Sequence, residues 1–279
     1  MEHWQIWTDD DARLHFATPK TTDDKYSRGV VGVIAGSREY PGAGVLVCEA
    51  AIRTGVGMVR YLGPRRVQDL VLTHRPEIVV KDGKVQAWVI GSGLDVHQVG
   101  WRREQRIRQK LEEGLPVVLD AGGLSFLSMK KGPVLITPHY RELAALLNSG
   151  GAKVSGTEIK NDPKKWARFA ADTLQVTVLL KGNISYVASK DREIELPAAS
   201  PWLASAGTGD VLAGILGALV ATHVNEIAEN TEFLAGIAAT ACLIHARAAE
   251  HSSIGGPISA LGVAHSIPKV VSDLLHKRM

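Results

Sequence analysis

Short apolar runs of strand length alternate along this chain with longer stretches that have the period of a helix. Six runs are predicted as strands: Val30–Ala35, Met58–Leu62, Trp88–Ile90, Val117–Leu119, Val134–Ile136 and Val176–Leu180. The helix-like stretches between them are Gly44–Thr54, Val99–Glu113, Arg141–Asn148 and Asp162–Thr173. Such alternation is typical of βαβ units and predicts a mostly parallel sheet covered on both faces. In folds of this class, ligands bind at the carboxyl ends of the strands.

The pattern changes after the sixth predicted strand. Ile184–Ala188 and Glu193–Leu196 predict a short meander, and two long helices follow at about Thr208–Ala221 and Thr231–Glu250. The first of these helices is apolar on nearly every face, so we expect it to be buried. No stretch reaches the roughly 18 apolar residues that cross a bilayer, and no membrane association is expected.

The length and the net charge of the chain limit the classes of function that it could have. The chain has 279 residues, which suits one large α/β domain, and a formal net charge of +3. This balance falls short of the basic excess typical of nucleic-acid-binding proteins but suits small anionic ligands. Cys48 and Cys242 lie in apolar stretches. We therefore expect two buried free thiols in a reducing, cytoplasmic compartment.

A glycine-rich segment, Ser205–Gly214, leads directly into the apolar helix. Gly207 and Gly209 let backbone N–H groups converge, and the helix N-terminus adds partial positive charge, so a phosphoryl group is favoured there. Asp210 in this first turn is either a helix cap or a base that accepts a proton from an attacking hydroxyl. The apolar helix behind it favours the base.

Three other loops follow predicted strands. Lys181–Ser185 is either an ordinary turn, which the local pattern favours, or a site for a nucleotide phosphate or ribose. Gly36–Gly44 lies where a dinucleotide-binding loop would, but it lacks the third small residue of that fingerprint. Gly91–Gly93 is either a simple turn or a point of close backbone approach.

Further polar residues follow strands or lie on a helix. Asp120 and His139 each follow a strand, where a capping role and a place in the cleft are both open. The histidines show no metal-ligand spacing, so no protein-bound metal is expected. A basic run on one predicted helix is expected to be a solvated face: it comprises Arg102, Arg103, Arg106, Arg108 and Lys110.

Together these segments resemble the ribokinase-like superfamily and, within it, the ADP- or ATP-dependent NAD(P)H-hydrate dehydratases. The segments that carry the resemblance are Ala35–Ser37, Pro41–Ala43, Glu49–Gly57, Leu119–Gly122, Thr137–His139, Lys181–Asn183 and Gly207–Gly214. Many kinases of the superfamily share Gly-Thr-Gly-Asp, whereas the ordered set is more specific. The resemblance implies a three-layer αβα sandwich that forms one domain over residues 1–279.

The resemblance also implies roles for residues. Asp210 would be the catalytic base and would contact the substrate. The nucleotide would be bound by Lys181, Gly182, Asn183, Ile184, Ser185, Gly207, Thr208 and Gly209. The hydrated dinucleotide would be bound by Ala43, Gly93 and His139 together with Asp210. The chain departs from the family at Tyr140 and Arg141, where Pro-Gly is usual, and at Ala206, where Gly is common.

The chemistry implied by the resemblance is phosphoryl transfer followed by elimination. Asp210 would deprotonate the C6 hydroxyl of the hydrated nicotinamide ring of NADHX or NADPHX, and that oxygen would attack the terminal phosphoryl of ADP or ATP. Mg²⁺ and the Gly207–Gly209 amides would neutralise charge, and the ring nitrogen would then expel phosphate. Relatives form homo-tetramers and often carry an epimerase domain ahead of this one. Because only about thirty residues precede the first predicted strand, we expect the dehydratase alone.

Two alternatives remain open. A kinase of the same superfamily that acts on a vitamin-precursor alcohol would share Asp210 and the glycine amides, but it would leave a phosphorylated product. A non-catalytic nucleotide sensor would bind nucleotide without turnover.

Overall fold

The computed structural model describes residues 4–95 and 99–276. The strands are β1 (Gln5–Ile6), β2 (Val30–Ile34), β3 (Met58–Tyr61), β4 (Ala87–Ile90), β5 (Val117–Leu119), β6 (Val134–Ile136), β7 (Thr177–Leu180), β8 (Tyr186–Ala188) and β9 (Glu193–Glu195). The first helices are α1 (Asp9–Leu14), α2 (Pro41–Thr54), α3 (Arg65–His74), α4 (Trp101–Glu112), α5 (Tyr140–Ser149) and α6 (Gly156–Asn161). The others are α7 (Pro163–Leu174), α8 (Thr208–Thr222), α9 (Val224–Glu229), α10 (Phe233–Ser253) and α11 (Ala260–His276). Two short 3₁₀ segments span Ala121–Met129 and Pro201–Leu203.

The described strands form one sheet in the order β1-β9-β8-β7-β6-β5-β4-β2-β3. β3, β2, β4, β5, β6 and β7 pair in parallel, while β8 runs antiparallel to both β7 and β9. The predicted mostly parallel sheet and its meander are thus confirmed. The carboxyl ends of the parallel strands share one edge, so the loops that follow β2, β4, β5, β6 and β7 gather there.

Helices cover both faces of the sheet. α1, α2, α3, α8, α9, α10 and α11 contribute to the apolar core on one face, and α4, α5, α6 and α7 to the core on the other. This arrangement is the predicted three-layer αβα sandwich. α8 lies at the centre of the first layer, on β2, β4 and β5 and against α2.

The glycines of α8 explain how that helix fits its central position. A Cβ at Gly214 would lie 2.3 Å from the carbonyl oxygen of Val47 in α2, and one at Gly217 would lie 2.1 Å from a methyl of Val89 in β4. Both contacts are shorter than side chains allow, so glycine permits α8 to pack closely on both sides. Val211, Ile215 and Val220 are fully buried. The prediction that this helix is buried is therefore confirmed.

Some elements differ from their predictions. α2 begins at Pro41, three residues before the predicted start at Gly44, because proline suits the first position of a helix. β1, α1, α3, α6, α9 and α11 have no counterpart among the predicted elements. β1 has only two residues, too few for an alternating pattern to show. The two thiols, Cys48 and Cys242, are buried and free, as predicted.

The expectation that no segment has the length and composition of a membrane span is wrong. Among the described residues, Phe233–Ser253 is a 21-residue helix that is long and apolar enough to cross a bilayer. Its most apolar window is 83% buried within the fold. Core helices pass the same test of length and composition, and this burial is typical of them.

Candidate active site

A buried ion pair lies at the carboxyl edge of the sheet. Asp120 follows β5, is 3% exposed, and accepts a hydrogen bond from Lys181 Nζ at 2.8 Å. It also accepts from Thr137 Oγ1 at 2.7 Å and from Ser92 Oγ at 2.8 Å. These donors come from the loops after β7, β6 and β4. Burial raises the pKa of Asp120, but the charge of Lys181 and the three hydrogen bonds outweigh it, so the net pKa is lowered and the carboxylate is ionised.

Lys181 connects this ion pair to neighbouring elements. Its Nζ lies 4.0 Å from Glu142 Oε2 on α5 and 3.9 Å from the position that a Cβ would take on Gly209. Burial lowers the pKa of Lys181, yet the charges of Asp120 and Glu142 raise it by more, so the ammonium is retained. A fixed positive charge therefore lies beside the first turn of α8.

Asp210 lies in that first turn. Burial raises the pKa of Asp210 to about 7, with a further increase from the negative charge of Asp120, while Lys181 and the Ser92 hydroxyl oppose the shift. The helix N-cap is Gly207, in the left-handed region at φ 88°, so Asp210 is not the cap. Of the two roles left open by the sequence, capping is thus excluded. A carboxylate whose pKa is near neutral suits proton transfer.

The N-terminus of α8 is open to a ligand. Gly207 has no side chain, so no side-chain cap binds the N–H groups of the first turn, of which Thr208 N–H makes a long hydrogen bond of 3.5 Å to the Ser205 carbonyl oxygen. The Thr208 hydroxyl lies 2.8 Å from the carbonyl oxygen of Leu203 and 2.9 Å from that of Ser205, and so holds the preceding loop in place. Free amides at a helix N-terminus attract anions.

A cleft of about 660 Å³ extends from this helix N-terminus. Its lining includes six residues predicted to bind nucleotide: Lys181, Gly182, Asn183, Ser185, Thr208 and Gly209. Gly207 and Ile184, predicted with them, are not among its lining residues; Ile184 packs partly buried against the core on the opposite face of the sheet. The apolar part of the lining, which the sequence did not reveal, includes Leu203, Leu212, Cys242 and Ala246. Its size and mixed lining suit a small organic anion such as a nucleotide.

His139 caps a helix and also lines this cleft. Its Nδ1 accepts hydrogen bonds from the N–H groups of Arg141 and Glu142, both at 3.1 Å, and Glu142 in return accepts from the His139 N–H at 2.8 Å. The capping role that the sequence left open is therefore present. His139 lines the nucleotide-sized cleft together with Lys181, whereas Ala43 and Gly93 are not among the lining residues of this cleft.

Ala43 and Gly93, two of the residues predicted to bind substrate, contact each other. We refer to the surface that they form as the wall at Ala43 and Gly93. A Cβ on Gly93 would lie 2.5 Å from the Ala43 Cβ and 3.1 Å from the Tyr40 carbonyl oxygen, and Gly93 has a φ of 65°. The Gly36 N–H donates to the Ser92 carbonyl oxygen at 2.7 Å. Close approach is thus the reason for glycine at Gly93. Because Ser92 also binds Asp120, this wall adjoins the buried ion pair.

The basic run of α4 is only partly a solvated face. Arg102 is exposed, whereas Arg103 is half-buried and donates to the carbonyl oxygens of Ala35 at 3.1 Å and Gly36 at 2.7 Å. Lys110 is 6% exposed and forms ion pairs with Asp82 and Glu113, each at 2.9 Å. The prediction of a solvated face is wrong for Arg103 and Lys110. The spacing of four residues from Arg103 to the buried Ile107 was a signal for its position.

The sheet order and the helix layers define a ribokinase-like fold. A ribokinase-like superfamily protein of Enterococcus faecalis aligns with 98% of this chain at a TM-score of 0.83 and 19% identity, and 97% of that chain is covered. The structure of the ADP/ATP-dependent NAD(P)H-hydrate dehydratase of Bacillus subtilis, crystallised with ATP and Mg²⁺, aligns at a TM-score of 0.84 and 24% identity. That alignment covers 98% of this chain and all of the other.

Sequence comparison identifies the family. Residues 31–255 match the model of the NAD(P)H-hydrate dehydratase family, to which this chain belongs. The chain is 34% identical to the ADP-dependent (S)-NAD(P)H-hydrate dehydratase of Neisseria meningitidis, over 70% of each chain. It is 38% identical to a bifunctional NAD(P)H-hydrate repair enzyme of Mycobacterium leprae over 87% of its own length, but it spans only 50% of that relative.

Proposed function

We propose that this chain restores hydrated NADH or NADPH to the reduced cofactor by a dehydration that consumes ADP or ATP. The observation that carries the proposal is Asp210, whose pKa is about 7, at the anion-binding start of α8 beside a nucleotide-sized cleft. The named activity of its dehydratase relatives supports the same reaction.

The first step is a proton transfer. Near neutral pH a substantial fraction of Asp210 is ionised, and it accepts the proton of the C6 hydroxyl as that oxygen attacks the terminal phosphoryl group. The bond from this phosphorus to the bridging oxygen breaks, and AMP leaves from ADP or ADP from ATP. A carboxyl group with its ordinary pKa would be a weaker base. The buried position of Asp210 therefore serves the chemistry.

The second requirement is stabilisation of negative charge. In this proposal the free amides at the start of α8 and the ammonium of Lys181 face the phosphoryl oxygens during transfer. Asp120 holds Lys181 in place through their 2.8 Å contact. The C6–O bond then breaks as the ring nitrogen lone pair forms a double bond, phosphate leaves, and loss of a ring proton regenerates the dihydronicotinamide.

Mg²⁺ enters this scheme only with the nucleotide. Among the described residues, no group of three or more histidine, cysteine, aspartate or glutamate side chains could hold a metal ion. Asp120, the most buried carboxylate of the site, already has three donors. Since Mg²⁺ commonly binds through substrate phosphates and water, we propose that it arrives bound to ADP or ATP.

The residue assignments to each ligand follow from the same scheme. We propose that the nucleotide binds in the cleft lined by Lys181, Gly182, Asn183, Ser185 and Gly209, and that the hydrate contacts the wall formed by Ala43 and Gly93. His139 lines the cleft together with Lys181, and we propose that it contacts the hydrate where the two ligands meet.

The test is turnover of hydrated NADH with Mg²⁺ and either ADP or ATP, measured both as recovered absorbance of reduced nicotinamide and as released phosphate. Asp210→Asn should lower turnover by roughly a hundredfold or more while ADP binding persists. Asp69→Asn, at an exposed position on α3, is the matched control. A phosphorylated product without recovered absorbance would favour the kinase, and nucleotide binding without turnover would favour the sensor.

Further parts of the proposal concern the whole protein. We propose that residues 1–279 act as one domain, that the protein assembles as a homo-tetramer in the cytoplasm, and that it binds neither nucleic acid nor membranes. The single sheet shared by both cores supports the first point. Sedimentation analysis of the purified protein tests the subunit count.

A further inference from the structure

We infer that Arg103 of α4 is a positioning residue that fixes the wall at Ala43 and Gly93 and thereby sets the affinity for the hydrated dinucleotide. This inference rests on the proposed function, because that function assigns the wall to the hydrate. Arg103 is not among the residues that line the cleft, and the proposed effect on the reaction passes through the backbone that it binds.

The contacts of Arg103 are with backbone carbonyls at the start of the loop after β2. One guanidinium nitrogen donates to both Ala35 and Gly36, at 3.1 and 2.7 Å. The Tyr61 hydroxyl donates to the same Ala35 oxygen at 2.7 Å. Two peptide groups in succession are therefore held from one side.

On its other side, this loop is bound by the backbone of Ser92, the residue before Gly93. The Gly36 N–H donates to Ser92 at 2.7 Å, and Gly36 has a φ of 71°. A Cβ on Gly36 would lie 3.4 Å from the Tyr40 oxygen, the same oxygen that closely approaches Gly93. Rotation of the Gly36 peptide would therefore move the surface at Gly93.

The charge of Arg103 is costly where it lies. Burial lowers the pKa of its guanidinium to about 10, and no carboxylate is among the described groups that act on this pKa. Its Nε is buried without a hydrogen-bond partner in the described part of the chain. A buried cation without an acid partner destabilises a fold unless its hydrogen bonds compensate. Here the compensation is the pair of hydrogen bonds to the Ala35 and Gly36 carbonyl oxygens, which is why we assign Arg103 to the loop.

The experiment compares Arg103→Met with Arg102→Met, its exposed neighbour. Arg103→Met should raise the KM for the hydrate by about tenfold or more, because small displacements of a binding wall weaken binding strongly. The dissociation constant of ADP, measured by calorimetry, should change less than about twofold, since the cleft is separate. Arg103→Lys, which keeps a donor and the charge, should give an intermediate KM. Arg102→Met should match the unmodified protein.

Tyr61→Phe is a second, milder variant that removes the other donor to Ala35. It should raise the hydrate KM by about twofold to threefold, the usual effect of one hydrogen bond, and it remains informative if Arg103→Met does not fold. An unchanged hydrate KM in folded Arg103 variants would overturn the inference. So would a parallel loss of ADP binding, which would indicate general damage to the fold.

Direct binding of NADPH, followed by its fluorescence, separates this inference from the proposed function. Unmodified protein that binds NADPH but does not dehydrate the hydrate would refute the proposed function alone. The Arg103 variants should still bind NADPH about tenfold more weakly in that case. Equal NADPH binding by the Arg103 variants and the unmodified protein would refute the positioning role.

Discussion

Replacing Asp210 by asparagine should make the folded protein more stable at pH 8 while it removes activity. The pKa of Asp210 rises from 3.8 to about 7 on folding. The folded state therefore binds more protons than the unfolded state between these values, and stability falls as pH rises through that window. Asp210→Asn removes this dependence.

The magnitude follows from the two pKa values. At 1.36 kcal/mol per pKa unit, the difference between 3.8 and about 7 corresponds to about 4 kcal/mol of destabilisation above pH 7. A buried asparagine amide still costs some desolvation, so we expect a gain of about 2 to 4 kcal/mol for Asp210→Asn at pH 8. At pH 4 the gain should nearly vanish, because Asp210 is then protonated in the folded state.

Urea unfolding at pH 4 and pH 8 measures this difference. Asp69→Asn serves as the control, since it changes an exposed carboxylate on α3 in the same way. A variant that is less stable than the unmodified protein at pH 8, or a stability difference that is the same at both pH values, would refute the reasoning. Either result would mean that burial of the ionised Asp210 carboxylate does not destabilise the folded protein.

Other perturbations test the charges and the close contacts of the site. The value of kcat/KM should decrease as the pH drops below about 7, the pKa of Asp210, because the protonated carboxyl group cannot accept a proton. A kcat/KM that stays constant from pH 5 to pH 8 would contradict the role of Asp210 as base. Asp120→Asn should move this decrease in kcat/KM to lower pH, because it removes a negative charge that raises the pKa of Asp210. Lys181→Met should move the decrease to higher pH, because it removes a positive charge that lowers the same pKa. If both variants shift the profile in the same direction, another group titrates. Gly91→Ala should cost at least about 3 kcal/mol of unfolding free energy or prevent folding, since its Cβ would lie 1.8 Å from the Asp120 carbonyl oxygen at a φ of 129°. Gly114→Ala, also at positive φ but facing open space, should cost only about 1 kcal/mol in the same denaturation assay.

The sequence predicted the elements that carry a strong pattern. The parallel strands and the buried α8 were evident because continuous apolar runs leave few alternatives. β1 and the early start of α2 were missed: a two-residue strand has no period, and Pro41 had been assigned to the preceding loop. Arg103 was placed on a solvated face because the run of cations was interpreted as a unit, although the spacing of four residues from Arg103 to Ile107 indicated an inward position.

The site was predicted only in part because its properties arise from separate loops. The Lys181–Asp120 contact joins residues 61 positions apart, and no local pattern contains it. Leu203, Cys242 and the other apolar residues of the cleft lie in unrelated segments that only the fold brings together. Whether Asp210 caps α8 depended on where that helix begins, and the structure places the N-cap at Gly207, three residues before Asp210.

The position of Asp210 connects folding with function. α8 is buried because its residues are apolar on all faces, and that same burial is the largest cause of the raised pKa of Asp210. The free energy that the fold loses by desolvating this carboxyl group is thus what gives the proposed base its proton affinity. Asp120 adds to the effect through its negative charge, which the hydrogen bonds from Thr137 and Ser92 maintain together with Lys181. The ion pair therefore has two roles in the proposed reaction: its cation faces the phosphoryl group, and its anion keeps Asp210 basic.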